Sequence, residues 1–241
     1  MKPFVALQLY TVRDFTAQDV VGTLRKVKEI GYDYVELAGI YDMGFLEFRK
    51  VLDEVGLTAI SAHVAPDVSV VDYKSLGCKY LAIPMVAEEL LPGGNKYEKS
   101  LFESFSKKCM GEDIVPAYHN HAFEYKKLPC NTFVLDKLFE DVPALQAELD
   151  VGWVRAAGQS PEAYIKKYAS RCPIVHLKDT IEVENGFEDR PVGKGSLDIP
   201  AILQASKSAG VAGFVVELDK AVGITSLQAA KESLEYLSSR F

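Results

Sequence analysis

The chain has 241 residues, 48% of them hydrophobic and 25% charged, which suits one domain with a substantial core. Its 27 basic against 34 acidic residues leave a net charge of -7, which argues against a broad basic face for nucleic acid or a membrane surface and for a small polar ligand. No window reaches a membrane-spanning length, no signal-peptide pattern opens the chain, and Cys78, Cys109, Cys130 and Cys172 lack the spacing of a zinc site or disulfide scaffold; scattered core thiols and cytoplasmic residence are the expectations.

In chain order, FVALQLY (4–10) reads as a first strand. A helix follows, with Thr16 as its expected N-cap and Val20, Leu24, Val27 and Ile30 at spacings of three and four. Further strands are expected at YVELA (34–38), TAISAH (58–63), KYLAIP (79–84), IVPAYHNH (114–121), LQAELD (145–150), PIVHLKD (173–179) and GFVVELD (213–219). A recurring unit joins them: an amphipathic segment, a glycine (Gly31, Gly56, Gly77 or Gly210), then an apolar run, as expected where a glycine C-cap feeds a helix into a strand. An abbreviated helix is expected between 64 and 78. The stretches 86–100 and 180–195 read as loops long enough for part of a lid, or for a subunit contact in a homodimer.

Eight apolar strands alternating with helices predict an α/β fold, a single (β/α)8 TIM barrel over residues 1–241. An open doubly wound sheet is the alternative, but LQLYTVRD has no Gly-rich dinucleotide fingerprint after the first strand.

In such a barrel the chemistry sits at the C-terminal ends of the strands. All four histidines fall there: His63 ends the third strand, His119 and His121 the fifth, and His176 lies near the end of the seventh. Glu36, Glu124, Asp150, Glu217 and Asp219 fall at the same end. Side chains alternate along a strand, so His119 and His121, His176 and Lys178, and Glu217 and Asp219 are expected to share faces. Asp150, His176 and Glu217 together offer two anionic oxygens and an imidazole, a set suited to Mn²⁺, Co²⁺, Mg²⁺ or Zn²⁺. Each residue has a plainer role as well: Asp150 as a helix cap, Glu124 as a helix-entry carboxylate, Trp153 as packing, Arg190 as an exposed loop charge.

VELAG (35–39), YHNHAFEY (118–125), LDVGW (149–153), VHLKD (175–179), RPVGKGSLD (190–198) and VVELD (215–219), in this order, resemble the sugar phosphate isomerase/epimerase family of xylose isomerase-like TIM barrels, and in particular its branch with an HNH sequence on strand five. The resemblance implies a divalent metal, manganese first, held by Asp150, His176 and Glu217 with Glu124, His119 or His121 from strand five. It also implies a small sugar as ligand, and a metal-stabilised enediolate formed by proton transfer beside a carbonyl. Glu217 and either His119 or His121 would move the proton, Lys178 would stabilise charge, and Glu36, His63, Trp153 and Arg190 would contact substrate. The same first step serves a lyase or dehydratase on a keto-sugar or inosose, and a non-catalytic sugar-binding barrel would keep the pocket without turnover. The endonucleases of the wider superfamily need more histidines and a basic groove, which four histidines and a net acidic chain do not supply.

Overall fold

The computed structural model describes residues 3–240. Eight parallel strands close into a barrel: β1 (Phe4–Gln8), β2 (Tyr34–Leu37), β3 (Thr58–His63), β4 (Tyr80–Ile83), β5 (Val115–His119), β6 (Gln146–Asp150), β7 (Ile174–Leu177) and, after an antiparallel hairpin of β8 (Asp179–Val183) and β9 (Gly186–Arg190), β10 (Gly213–Val216). Each barrel strand pairs with its neighbours in sequence order, and β10 closes the ring against β1. Helices between the strands wrap the outside, so both faces of the sheet are covered and its strands read as apolar runs. No helix among the described residues is long and apolar enough to cross a membrane.

Local signals account for much of this. Gly31, Gly56 and Gly210 adopt left-handed backbone with φ of 117, 79 and 77° and cap the helices before β2, β3 and β10. The N-cap expected at Thr16 lies instead at Asp19, whose carboxylate accepts from Gly22 N at 2.8 Å; Thr16 ends a separate short turn of helix. The outer helix before β4 is only Val70–Ser75, in the abbreviated region. Three cysteines are buried, but Cys130 is exposed rather than a core thiol.

The barrel interior changes character along its axis. Phe4, Tyr34 and Tyr80 pack around a small apolar layer of Ala6, Ile60, Ile174 and Val215. Two residues further along the same strands the pleat returns to the interior, and the residues are Gln8, Glu36, His176 and Glu217. On β3 the alternation is reset by a bulge: Val35 pairs with Ala59 but Glu36 with Ser61, leaving Ile60 as an extra residue. The extra residue lets Ile60 join the apolar layer while His63, three positions on, reaches the polar one.

Candidate functional site

The polar layer stands at the C-terminal mouth. Glu36, Glu148, Asp150 and His176 are fully buried, His119 and Lys178 are 2% exposed and Glu217 5%. The four imidazoles form one cluster, with His119 ring centroids 4.7 Å from His63, 5.2 Å from His121 and 4.5 Å from His176. The expectation that all four histidines meet at one face of the barrel therefore holds.

Two sets of donor atoms lie close enough to hold an ion, each within 4.8 Å of one another: His119, Asp150, His176 and Glu217, and His63, His119, Glu148 and His176. In the first, His176 Nδ1 lies 2.8 Å from Glu217 Oε2, and His119 Nε2 lies 3.9 Å from Asp150 Oδ2. Asp150 uses its other oxygen, Oδ1, to accept from Trp153 N at 2.9 Å, so it caps the next helix and faces the cluster at the same time. Asn120 clamps its backbone, Oδ1 accepting from Asp150 N at 3.1 Å. Lys178 Nζ reaches Asp219 at 2.8 Å, Asp150 at 3.6 Å and Glu217 at 3.8 Å, over the ring of Trp153 at 4.9 Å. Gly152 makes room for that lysine: a Cβ there would sit 2.7 Å from Lys178 O and 2.9 Å from its Cγ.

Burial pushes the Asp150 carboxyl up to about 7, with Glu217 adding to the effect and Lys178 and His176 opposing it. Burial would also raise Glu217, but Lys178 and His176 outweigh it and hold that carboxyl well below the usual range. Burial, with Lys178 beside it, lowers His121 to about 4, leaving a neutral ring. The fit to a cation rests on the oxygens and nitrogens left over. Asp150 Oδ2, Glu148 Oε2, Glu36 Oε2, His119 Nδ1 and His176 Nε2 are buried without an aligned hydrogen-bond partner among the described residues. Such a mixture of carboxylate oxygen and imidazole nitrogen suits a divalent transition ion and is costly to bury unsatisfied.

Two expected site residues lie elsewhere. Glu124 is buried but outside both donor sets: its Oε1 accepts from Tyr118 Oη at 2.9 Å and its Oε2 from His121 N at 2.8 Å, because β5 ends at His119 and the chain turns back through Phe123–Tyr125. The strand-five donor in place is His119. Arg190 ends β9 and pairs with Glu188 at 2.8 Å, held within the hairpin rather than joined to the imidazole cluster. The glycine-bearing loop after it is likewise occupied, since the Asp179 carboxylate accepts from Gly193 N, Gly195 N and Leu197 N. Trp153 and Glu36 are at the site, Trp153 with its ring 5.4 Å from His121 and Glu36 2.7 Å from His176 Nε2 and 3.1 Å from His63 Nε2.

Sequence reasoning passed over Gln8, Asn120 and Glu148. Gln8 Nε2 donates to Glu36 Oε1 at 2.8 Å. Glu148 Oε1 is shared by His63, His176 and His119 at 2.8, 3.1 and 3.4 Å. Its signal is the pleat, two residues before Asp150 on the same strand face.

No protein-family model matches the chain, and no curated protein does. Solved structures do. Two sugar phosphate isomerase/epimerase proteins from Parabacteroides distasonis superpose with TM-scores of 0.83 and 0.82 at 20% and 24% identity. The first match covers 99% of this chain and 94% of the other, the second 98% of each. A family 2 AP endonuclease from Brucella melitensis superposes with a TM-score of 0.72 at 16% identity, over 99% of both chains. These likenesses identify the fold, a xylose isomerase-like TIM barrel that hosts more than one chemistry.

Proposed function

We propose that the protein is a divalent-metal-dependent sugar isomerase or epimerase that moves a proton at a carbon beside a carbonyl. The observation that carries this reading is the meeting of His119, Asp150, His176 and Glu217 within 4.8 Å at the barrel mouth, with a buried lysine beside them. The likeness to the two Parabacteroides distasonis proteins supports it. These four residues would hold the ion, which when bound supplies Lewis-acid polarisation of the substrate carbonyl.

The remaining steps belong to the chain. Glu217, oriented by His176 and Lys178, takes the proton from one face of the substrate. His121, half-buried with Nδ1 unpartnered, passes a solvent-derived proton to the other face, its neutral ring taking a proton at one nitrogen as it gives one from the other, while Glu217 releases its own to solvent. Lys178 opposes the negative charge that develops as the proton leaves. The Trp153 face and the His121 ring form the apolar wall against which a sugar stacks.

The test has two parts. Metal-free protein given Mn²⁺ should take up about one ion per chain, and chelation should lower its melting temperature. Candidate ketoses and 3-keto sugars incubated in D₂O should take up deuterium at the carbon beside the carbonyl, followed by NMR. Binding without deuterium uptake would reduce the protein to a sugar-binding barrel. An unsaturated product would make it a lyase.

A further inference from the structure

His119 and His176 each show a different nitrogen to the two sides of the polar layer. Toward the mouth, His119 turns Nε2 to Asp150 and His176 turns Nδ1 to Glu217. Toward the barrel interior, His119 Nδ1 lies 3.4 Å and His176 Nε2 3.1 Å from Glu148 Oε1, which is also 2.8 Å from His63 Nε2. These inner nitrogens are buried and neither has an aligned hydrogen-bond partner among the described residues; nor does Glu148 Oε2.

We propose that His63, His119, His176 and Glu148 form a second cation seat, distinct from the one at the mouth, that takes a borderline-soft transition ion such as Zn²⁺ or Co²⁺. Three imidazole nitrogens and one carboxylate oxygen make a softer set than the two nitrogens and two oxygens of the outer seat. The donors stand 2.8–3.4 Å from the shared carboxylate oxygen, near the edge of about 3.3 Å that metal bonds of about 2.0 Å give in a tetrahedron. Charge also balances. Glu148 and Glu36, the latter beside His63 and His176, neutralise a divalent ion with all three rings neutral.

A neutral imidazole has one lone pair, so His119 and His176 serve one seat at a time and the chain holds a single ion. This extends the proposed function, which assigns the outer seat. An ion in the inner seat lies on the far side of the shared imidazoles from Asp150, Glu217 and Lys178. Zn²⁺ therefore competes with Mn²⁺ for the chain and inhibits rather than activates.

The experiment titrates the metal-free full chain with Co²⁺ alone, read by visible absorption and calorimetry, for three proteins: wild type, D150N/E217Q and H63Q/E148Q. D150N/E217Q should keep Co²⁺ affinity within about threefold and show the intense bands of four-coordinate cobalt, whereas H63Q/E148Q should lose about tenfold or more. Circular dichroism confirms folding, and H63Q alone replaces the double variant should that not fold. The proposal is overturned by a wild type that binds no Co²⁺, or by the reverse pattern, with D150N/E217Q losing Co²⁺ and the inner variant keeping it. Mn²⁺ titration of wild type and H63Q/E148Q judges the outer seat separately: absence of Mn²⁺ binding there counts against the proposed function, while the cobalt result alone decides the inner seat.

Discussion

Replacing Glu124 by Gln should stabilise the metal-free protein at alkaline pH. The Glu124 carboxyl is sealed from solvent, and burial raises it from the ordinary 4.5 to about 7 even though His121 N and Tyr118 Oη donate to it. A carboxyl raised on folding contributes stability that is fully present below about pH 4.5 and lost as pH rises through about 7, because between those values the folded state holds a proton that the unfolded chain has released. At about 1.36 kcal/mol per unit, the loss by pH 8 is on the order of 3 kcal/mol. Glutamine keeps an acceptor for His121 N and an amide hydrogen for Tyr118 Oη without carrying charge. E124Q should therefore melt about 6–12 °C above wild type at pH 8, and close to it at pH 5. Thermal melts by circular dichroism in chelator across that range read the difference. A variant that melts below wild type at pH 8, with a gap that widens as pH rises, would refute the reasoning, since the carboxylate would then be stabilised as an anion. Mn²⁺ affinity should be unchanged in the same variant; a loss of about tenfold would return Glu124 to the metal shell.

Lys178→Met removes the buried cation facing Asp150, Glu217 and Asp219, and turnover in the deuterium assay should fall by about 10² or more while Mn²⁺ still binds. Undiminished turnover would exclude the lysine from charge stabilisation. Gly152→Ala drives a methyl against the Lys178 backbone and stem, which should cost about 1–3 kcal/mol by denaturant titration and lower turnover with it. Asp19→Ala, outside both donor sets, removes an N-cap and should cost about 1 kcal/mol with metal affinity untouched. Manganese at a hundred times its dissociation constant should add about 2.7 kcal/mol of stability that chelator removes, and a melting temperature indifferent to both would speak against any site.

The barrel was legible in the sequence because its helix ends and strands are marked by separate chemistries: glycines supply left-handed caps, and covered parallel strands are apolar throughout. Asp150, His176 and Glu217 stood out for the same reason, as charged residues closing apolar runs. The errors arose where a residue or two of register matters. Continuing β5 to residue 121 places Glu124 just beyond a strand end, but the strand stops at His119 and the turn that follows directs Glu124 to Tyr118 and the His121 backbone. The bulge at Ile60 turns on pairing between strands, which no local pattern reports. The hairpin was readable in part, since Asn185 and Gly186 sit between IEV and FED, yet the stretch also looks like a polar loop.

Glu148 illustrates a more general point about such interiors. With Glu36, Asp150 and Glu217 it makes four carboxylates at 5% exposure or less in a single barrel mouth. The cations available to them are Lys178, His63 and His176. Burial works against both imidazolium charges, but Glu36 and Glu148 outweigh it and raise both histidines, His176 well above its ordinary range. Asp150, raised by burial to about 7, takes up a proton more readily than an ordinary carboxylate. Even so, Glu36 Oε2, Glu148 Oε2 and Asp150 Oδ2 have no aligned donor among the described residues. Leaving each of them dry costs about 1–3 kcal/mol, a sum comparable with the whole stability of a domain. A chain selected for stability alone would place apolar side chains there, as the layer of Ala6, Ile60, Ile174 and Val215 does deeper in the barrel. The polar layer is therefore a standing cost of folding that a bound cation and substrate relieve.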